Sequence, residues 1–132
     1  MFHSSDWDAD NLYFYDPAGN ILELIARHTL DNKSNKAFNA QSLLNISEIG
    51  IATNDVAKQV EAIQAQINVN PYRWSGELGF APVGDEHGLF IVVKHGRIWF
   101  PDTGVPAEYL PVNVTVEQNG RVKELSFFNE HN

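Results

Sequence analysis

Five residues, Asp16-Pro17-Ala18-Gly19-Asn20, restrict what this chain can fold into more than any others. Proline presets φ near the value a turn needs, and Gly19 with Asn20 tolerates positive φ, so the chain reverses direction here. Before the turn, Leu12-Tyr13-Phe14-Tyr15 is aromatic and β-prone; after it, Ile21-Leu22-Glu23-Leu24-Ile25 reads as a second strand. The expected product is a β-hairpin. Glu23 lies in the middle of its second strand, with Ile21 and Ile25 on its own face.

The rest of the chain supplies more strands and one clear helix. Residues 1–10 are polar and acidic and read as a loop or frayed lead-in. Residues 28–45 are mostly polar and form the best linker, with a short helix around Ala37–Leu44. Ile46 to Ala52 reads as a strand, and Asn54 or Asp55 caps a helix running from about Val56 to Ile67. Val56, Val60, Ile63 and Ile67 make one apolar stripe on that helix. Phe80–Val83 and Leu89–Lys94 are strands separated by the turn Gly84–Gly88. His95-Gly96-Arg97 turns into Ile98-Trp99-Phe100, and Pro101 to Pro111 is a proline-rich loop. Val112 to Glu117 alternates cleanly, Asn119-Gly120 is a hairpin dipeptide, and Val122 to Phe128 is a last strand before a polar tail. Antiparallel runs with one helix indicate an α+β fold rather than a doubly wound sheet.

Composition narrows the partners. At 132 residues, one structural domain is expected. The formal net charge is −8, which disfavours nucleic acid and anionic membrane surfaces. No cysteine is present, so disulfides, thiolate metal sites and cysteine nucleophiles are excluded. No apolar run approaches the roughly 20 residues that span a bilayer, and Met1–Asp6 does not read as a signal peptide. A cytoplasmic location is the expectation.

Two stretches carry a family resemblance. Leu12–Ile25 resembles the closing hairpin of a vicinal-oxygen-chelate module, the group of glyoxalases, bleomycin-resistance proteins and extradiol dioxygenases. In that group an aromatic strand, Asp-Pro-x-Gly-Asn and a strand with a metal-binding glutamate follow one another. Ser47-Glu48-Ile49-Gly50-Ile51, with Asp55 at the helix start, resembles the opening of such a module, and Gly84–Val93 resembles a middle hairpin of bacterial members. The resemblance covers residues 10–27 and 46–117. It implies a βαβββ module with a mixed, mostly antiparallel curved sheet, plus the terminal hairpin of a second module. The implied organisation is residues 1–27 as the end of a first, N-terminally truncated module, 28–45 as linker, and 46–132 as a complete module with an extra strand. The chain departs from the family pattern in that truncation and in carrying Glu48 where the family has histidine.

The resemblance implies a set of site residues. Glu23 and Glu48 are the expected catalytic carboxylates and metal ligands, with Thr115 nearest the third ligand position. For Glu23 the residues leave a second reading open, an edge-strand glutamate facing solvent. Glu48 shares a strand face with Ile46, Gly50 and Ala52, away from the helix, which aims it either into a cup or into water. In Val112–Glu117 the valines take one face, so Asn113, Thr115 and Glu117 take the other and are expected to line the cup. Asn113, Glu117, Trp99 and Tyr15 are the candidate substrate contacts. His87 beside Asp85 and Glu86 forms either a metal cluster or a solvated turn, and His3, His28, His95 and His131 show no ligand spacing.

Three functions follow as expectations. The first is a small-molecule binding protein using the cup of the curved sheet. The second is a glyoxalase- or dioxygenase-like enzyme using a divalent ion, Mn²⁺, Fe²⁺, Ni²⁺, Zn²⁺ or Mg²⁺, as Lewis acid. The third is a truncated product with a structural role. A homodimer is expected, because an incomplete module leaves an open sheet edge and an uncovered apolar hairpin.

Overall fold

A computed structural model describes residues 1–128; the tail beyond them, with His131, lies outside the described residues. The architecture is α+β, with eight strands, one α-helix and three small sheets among those residues. The chain divides into two compact units, Met1–Ser47 and Glu48 onward.

The first unit is an antiparallel sheet of β1 (Phe2–Ser4), β2 (Ala9–Tyr15) and β3 (Ile21–Arg27), in that order. The β2–β3 turn forms where the sequence demands it, and Asp16 is its hub. Its carboxylate accepts from the Ala18 amide at 2.9 Å, the Asn20 amide at 2.8 Å and Asn20 Nδ2 at 2.8 Å. Gly19 takes φ 85°, which a side chain would resist, and donates its amide to the Asp16 carbonyl. These donors, the Asn20 side chain foremost, hold the Asp16 carboxyl below the usual range. The turn fixes the register Tyr13↔Glu23, Asn11↔Ile25 and Asp10↔Ala26.

Register sorts the side chains onto two faces. Tyr13, Tyr15, Asn11, Glu23 and Arg27 share one; Asp10, Leu12, Phe14, Leu22, Leu24 and Ala26 share the other. Tyr13 and Tyr15 therefore lie on the face opposite Leu22 and Leu24. Strand β1 was read from sequence as lead-in. Three residues are too few to show a period, and Phe2–Ser4 becomes a strand by pairing with Ala9–Asn11. A left-handed Asp8, φ 50°, closes that reversal. Residues 28–47 hold one 3-10 turn, Ala40–Ser42, capped by Asn39, where a longer helix was expected.

The second unit is built on a three-stranded sheet, β4 (Glu48–Thr53), β5 (Phe80–Asp85) and β6 (Gly88–Lys94), ordered β4-β6-β5. Strand β4 runs parallel to β6 while β5 is antiparallel, so the sheet is mixed. The parallel pair needs a crossover, and helix α1 (Val56–Gln64) supplies its first half. Asp55 caps α1, its carboxylate accepting from the Lys58 amide at 3.1 Å. The helix ends three residues earlier than the apolar stripe, yet Ile67 remains buried in the following turn.

A single apolar cluster joins these elements. Ile63 and Ile67 pack with Ile51 of β4, Ala81 and Val83 of β5, and Phe90 and Val92 of β6. The remaining strands, β7 (Val112–Gln118) and β8 (Arg121–Phe127), form a separate two-stranded sheet around Asn119-Gly120. They add Leu125 and Phe127 to the core, with Val112, Val114 and Val116 partly buried against it. Thus β7 pairs with β8, where a longer module sheet was expected. Ile98-Trp99-Phe100 likewise makes only an isolated bridge, Ile98 to Pro106, because the chain folds back on itself: Trp99 N donates to Val105 O and Ala107 N to Arg97 O.

The sheet face turned away from α1 is also buried, at Leu89, Ile91 and Val93. Trp99 lies against it at Gly50. A Cβ at position 50 would come within 2.6 Å of Trp99 Cη2, so only glycine admits the indole.

Two stability predictions follow. Ile63→Ala removes a fully buried side chain at the helix–sheet contact and is expected to cost about 2–5 kcal/mol in a urea melt. Gly50→Ala is expected to destabilise by about 1–3 kcal/mol through overpacking, and pairing it with Trp99→Leu should recover part of that loss. Additive losses in the double variant would show that the two residues do not compete for the same space.

Candidate functional sites

Glu23 sits on β3 directly opposite Tyr13 of β2, with Asn11 one pleat repeat away and Arg27 two on the same face. Asn11 is buried, and its Nδ2 donates to Glu23 Oε2 at 2.6 Å. Burial pushes the Glu23 carboxyl above its ordinary value of 4.5, against the opposing pull of the Asn11 and Tyr13 hydrogen bonds and the Arg27 charge. The face is a donor-rich polar set around one reluctant carboxylate. Arg27 itself is buried.

That donor chemistry decides the fit of a divalent ion at Glu23. A metal ligand needs other anionic or lone-pair donors beside it. Here the neighbours offer an amide N–H, a phenol hydrogen bond and a guanidinium, whose positive charge opposes a second cation. Glu23 is a poor metal ligand in this setting.

The other expected site residues, Tyr15 excepted, fall in the second unit. Glu48 opens β4, half-buried and paired in parallel register with Leu89. It shares the face of Gly50, as the alternation requires, and Trp99 occupies that face at Gly50. Asn113, Thr115 and Glu117 alternate with the valines of β7 as expected, but all three are exposed. Asn113 accepts from Ser126 Oγ at 2.7 Å, and Thr115 lies opposite Glu124. Tyr15 is exposed at the end of β2, on the Glu23 face. His87 is exposed in the β5–β6 turn, its amide donating to Asp85 Oδ1 at 2.8 Å. His95 stacks on Tyr109 with ring centroids 4.1 Å apart.

A cluster that spacing did not reveal lies on the opposite face of the first sheet. His3 stands across from Asp10, and His28 lies just past the end of β3, two residues beyond Ala26, the partner of Asp10. His3 Nδ1 donates to Asp10 Oδ1 at 2.9 Å and His28 Nε2 donates to Oδ2 at 3.0 Å. These hydrogen bonds, that from His3 first, hold the Asp10 carboxyl below the usual range. Sequence separations of 7 and 18 residues carry no ligand motif. Only the register of three strands brings the groups together, and β1 is the strand the sequence did not announce.

A shallow cleft of about 250 Å³ also opens between α1 and the segment before β5, lined by Val56, Val60, Pro71, Trp74, Leu78 and Ala81. Two of its polar neighbours are engaged elsewhere, Trp74 Nε1 donating to Phe80 O at 2.7 Å and Glu77 pairing with Arg97 at 2.8 Å, and Glu61 also lies on its wall. The cleft offers apolar contact and no assembled chemistry. Among the described residues, no helix is long and apolar enough to cross a membrane. A scan against protein-family models and a search of curated proteins found no match to this chain.

Proposed function

We propose that this protein binds a small, neutral, hydroxyl- or amide-bearing molecule through the polar face of the β2–β3 hairpin, as a non-catalytic relative of the vicinal-oxygen-chelate proteins. One observation carries the reading: Glu23 is retained mid-strand with its charge disfavoured by burial, among Asn11, Tyr13 and Arg27. A carboxylate whose charge its surroundings disfavour is a candidate for recognition, because a donor on a ligand offsets that cost. The mixture of donors and one acceptor suits a ligand that presents both. The Arg27 charge on the same face weighs against a cationic ligand and against the metal-dependent enzyme.

The family part of this reading rests on the hairpin string Leu12–Ile25 and on the β-α-β-β order from Glu48 to Lys94. A cytoplasmic setting belongs to the same proposal and rests on a cysteine-free composition. So does a homodimer. Leu12, Phe14 and Leu22 project from one sheet face at 43%, 43% and 42% exposure, an apolar surface that a second copy would cover.

The carboxylate makes a signed prediction. Its folded-state pKa is raised, so its favourable contribution is complete below 4.5 and is lost as pH rises through the higher folded value. Glu23→Gln is therefore expected to leave stability at neutral pH unchanged or increased, and to remove that portion of the pH dependence. The same variant should lose the thermal shift produced by a polyhydroxy ligand found by screening the native chain. A strongly destabilised Glu23→Gln would mark Glu23 as a structural partner of Arg27, and a ligand shift that survives it would place recognition elsewhere. For the dimer, light scattering at micromolar concentration is expected to give twice the 14.8 kDa chain mass, and Phe14→Lys to halve it. A monomeric native chain removes the dimer from the proposal and leaves the ligand reading standing.

A further inference from the structure

We propose that His3, Asp10 and His28 form a surface site for a first-row divalent cation, of which Zn²⁺ is the representative. The argument starts from the strand ladder. Asp10 sits between two imidazoles because His3 is its direct cross-strand partner and His28 its diagonal neighbour on the same face. The ladder carries on to that point, with the His28 amide donating to the Asp8 carbonyl at 2.9 Å. The backbone thus fixes three side-chain origins before any ion arrives.

The donor atoms are spaced as a coordination sphere requires. The ligand atoms of all three residues lie within 4.8 Å of one another. Zinc binds imidazole nitrogen and carboxylate oxygen at about 2.0–2.2 Å, which puts neighbouring donors roughly 3.0–3.5 Å apart. The two imidazole–carboxylate separations, 2.9 Å to Oδ1 and 3.0 Å to Oδ2 of Asp10, lie at the short end of that edge, so an ion needs only a small outward movement of the rings. An ion entering between the rings would accept lone pairs from His3 Nδ1 and His28 Nε2, and each ring would carry its proton on the other nitrogen. Both hydrogen bonds to Asp10 would then give way to metal–ligand bonds, and the carboxylate would supply one negative charge.

Two imidazoles and one carboxylate select for borderline cations over Mg²⁺ or Ca²⁺, which prefer all-oxygen shells. The side chains of His3 and His28 are 56% and 49% exposed, so further positions on the ion stay open to water. This site is independent of the ligand reading for Glu23, because Asp10 and Glu23 project from opposite faces of the sheet.

Isothermal titration of the untagged full chain with zinc chloride tests the site. One Zn²⁺ per chain is expected, with affinity falling at least about tenfold in each of His28→Ala and Asp10→Asn. His87→Ala, in the β5–β6 turn, is expected to leave binding unchanged. All these positions are exposed or nearly so, and circular dichroism will verify that each variant folds. A second readout is independent of affinity: substoichiometric Co²⁺ should broaden the imidazole signals of His3 and His28 before those of His87 and His95. No saturable zinc binding, binding that survives both variants, or broadening centred on His87 would overturn the proposal. The cluster would then be a pair of hydrogen bonds that clip β1 and the end of β3 to β2.

Discussion

The register of the β2–β3 hairpin is the constraint on which both candidate sites depend. Asp16 binds three donors across the turn and Gly19 supplies the left-handed residue, so Tyr13 must face Glu23 and Asp10 must face Ala26. A slip of one residue in either strand would turn its side chains to the opposite face. Glu23 would leave Asn11 and Tyr13, and Asp10 would no longer stand between two histidines. The turn is exposed and contributes no side chain to either cluster, yet it decides the chemistry of both.

The second unit depends on a different constraint, the burial of both faces of a short mixed sheet. One face is sealed by the α1 stripe and by Leu125 and Phe127 of β8. The other admits Trp99 only because residue 50 lacks a side chain. These contacts give the unit its core, and they also fill part of the surface where a ligand cup was expected. A small, mainly apolar cleft lies open beside α1, with Trp74 and Glu77 on its wall engaged elsewhere.

Much of the fold was legible in the sequence because the signals were local. Asp16–Asn20 and Asn119-Gly120 announced their hairpins, Asp55 announced its helix, and the stripe from Val56 to Ile67 named the residues that reach the core. The alternation of Val112, Val114 and Val116 also predicted which side of β7 is covered. It did not say which strand lies beside β7. That depends on long-range pairing, and β7 chose β8 across a two-residue turn over a more distant partner. The seat of Trp99 is not legible either, because nothing in its neighbourhood reveals the glycine about 50 positions earlier that makes room for it.

Site chemistry was less legible for the same reason. Glu23 stands out in sequence as a carboxylate in an apolar strand, but its hydrogen-bond partners come from the facing strand, and their identity as donors bears on what Glu23 can hold. His3 and His28 had no spacing to recommend them. A site-resolved pH titration of the side-chain carboxyl carbons by NMR tests the two-faced hairpin most directly. The account predicts that Glu23 titrates above 4.5 while Asp10 and Asp16 titrate below 3.8. A Glu23 midpoint at or below 4.5 would contradict it, because a carboxyl that titrates freely is not buried among Asn11, Tyr13 and Arg27.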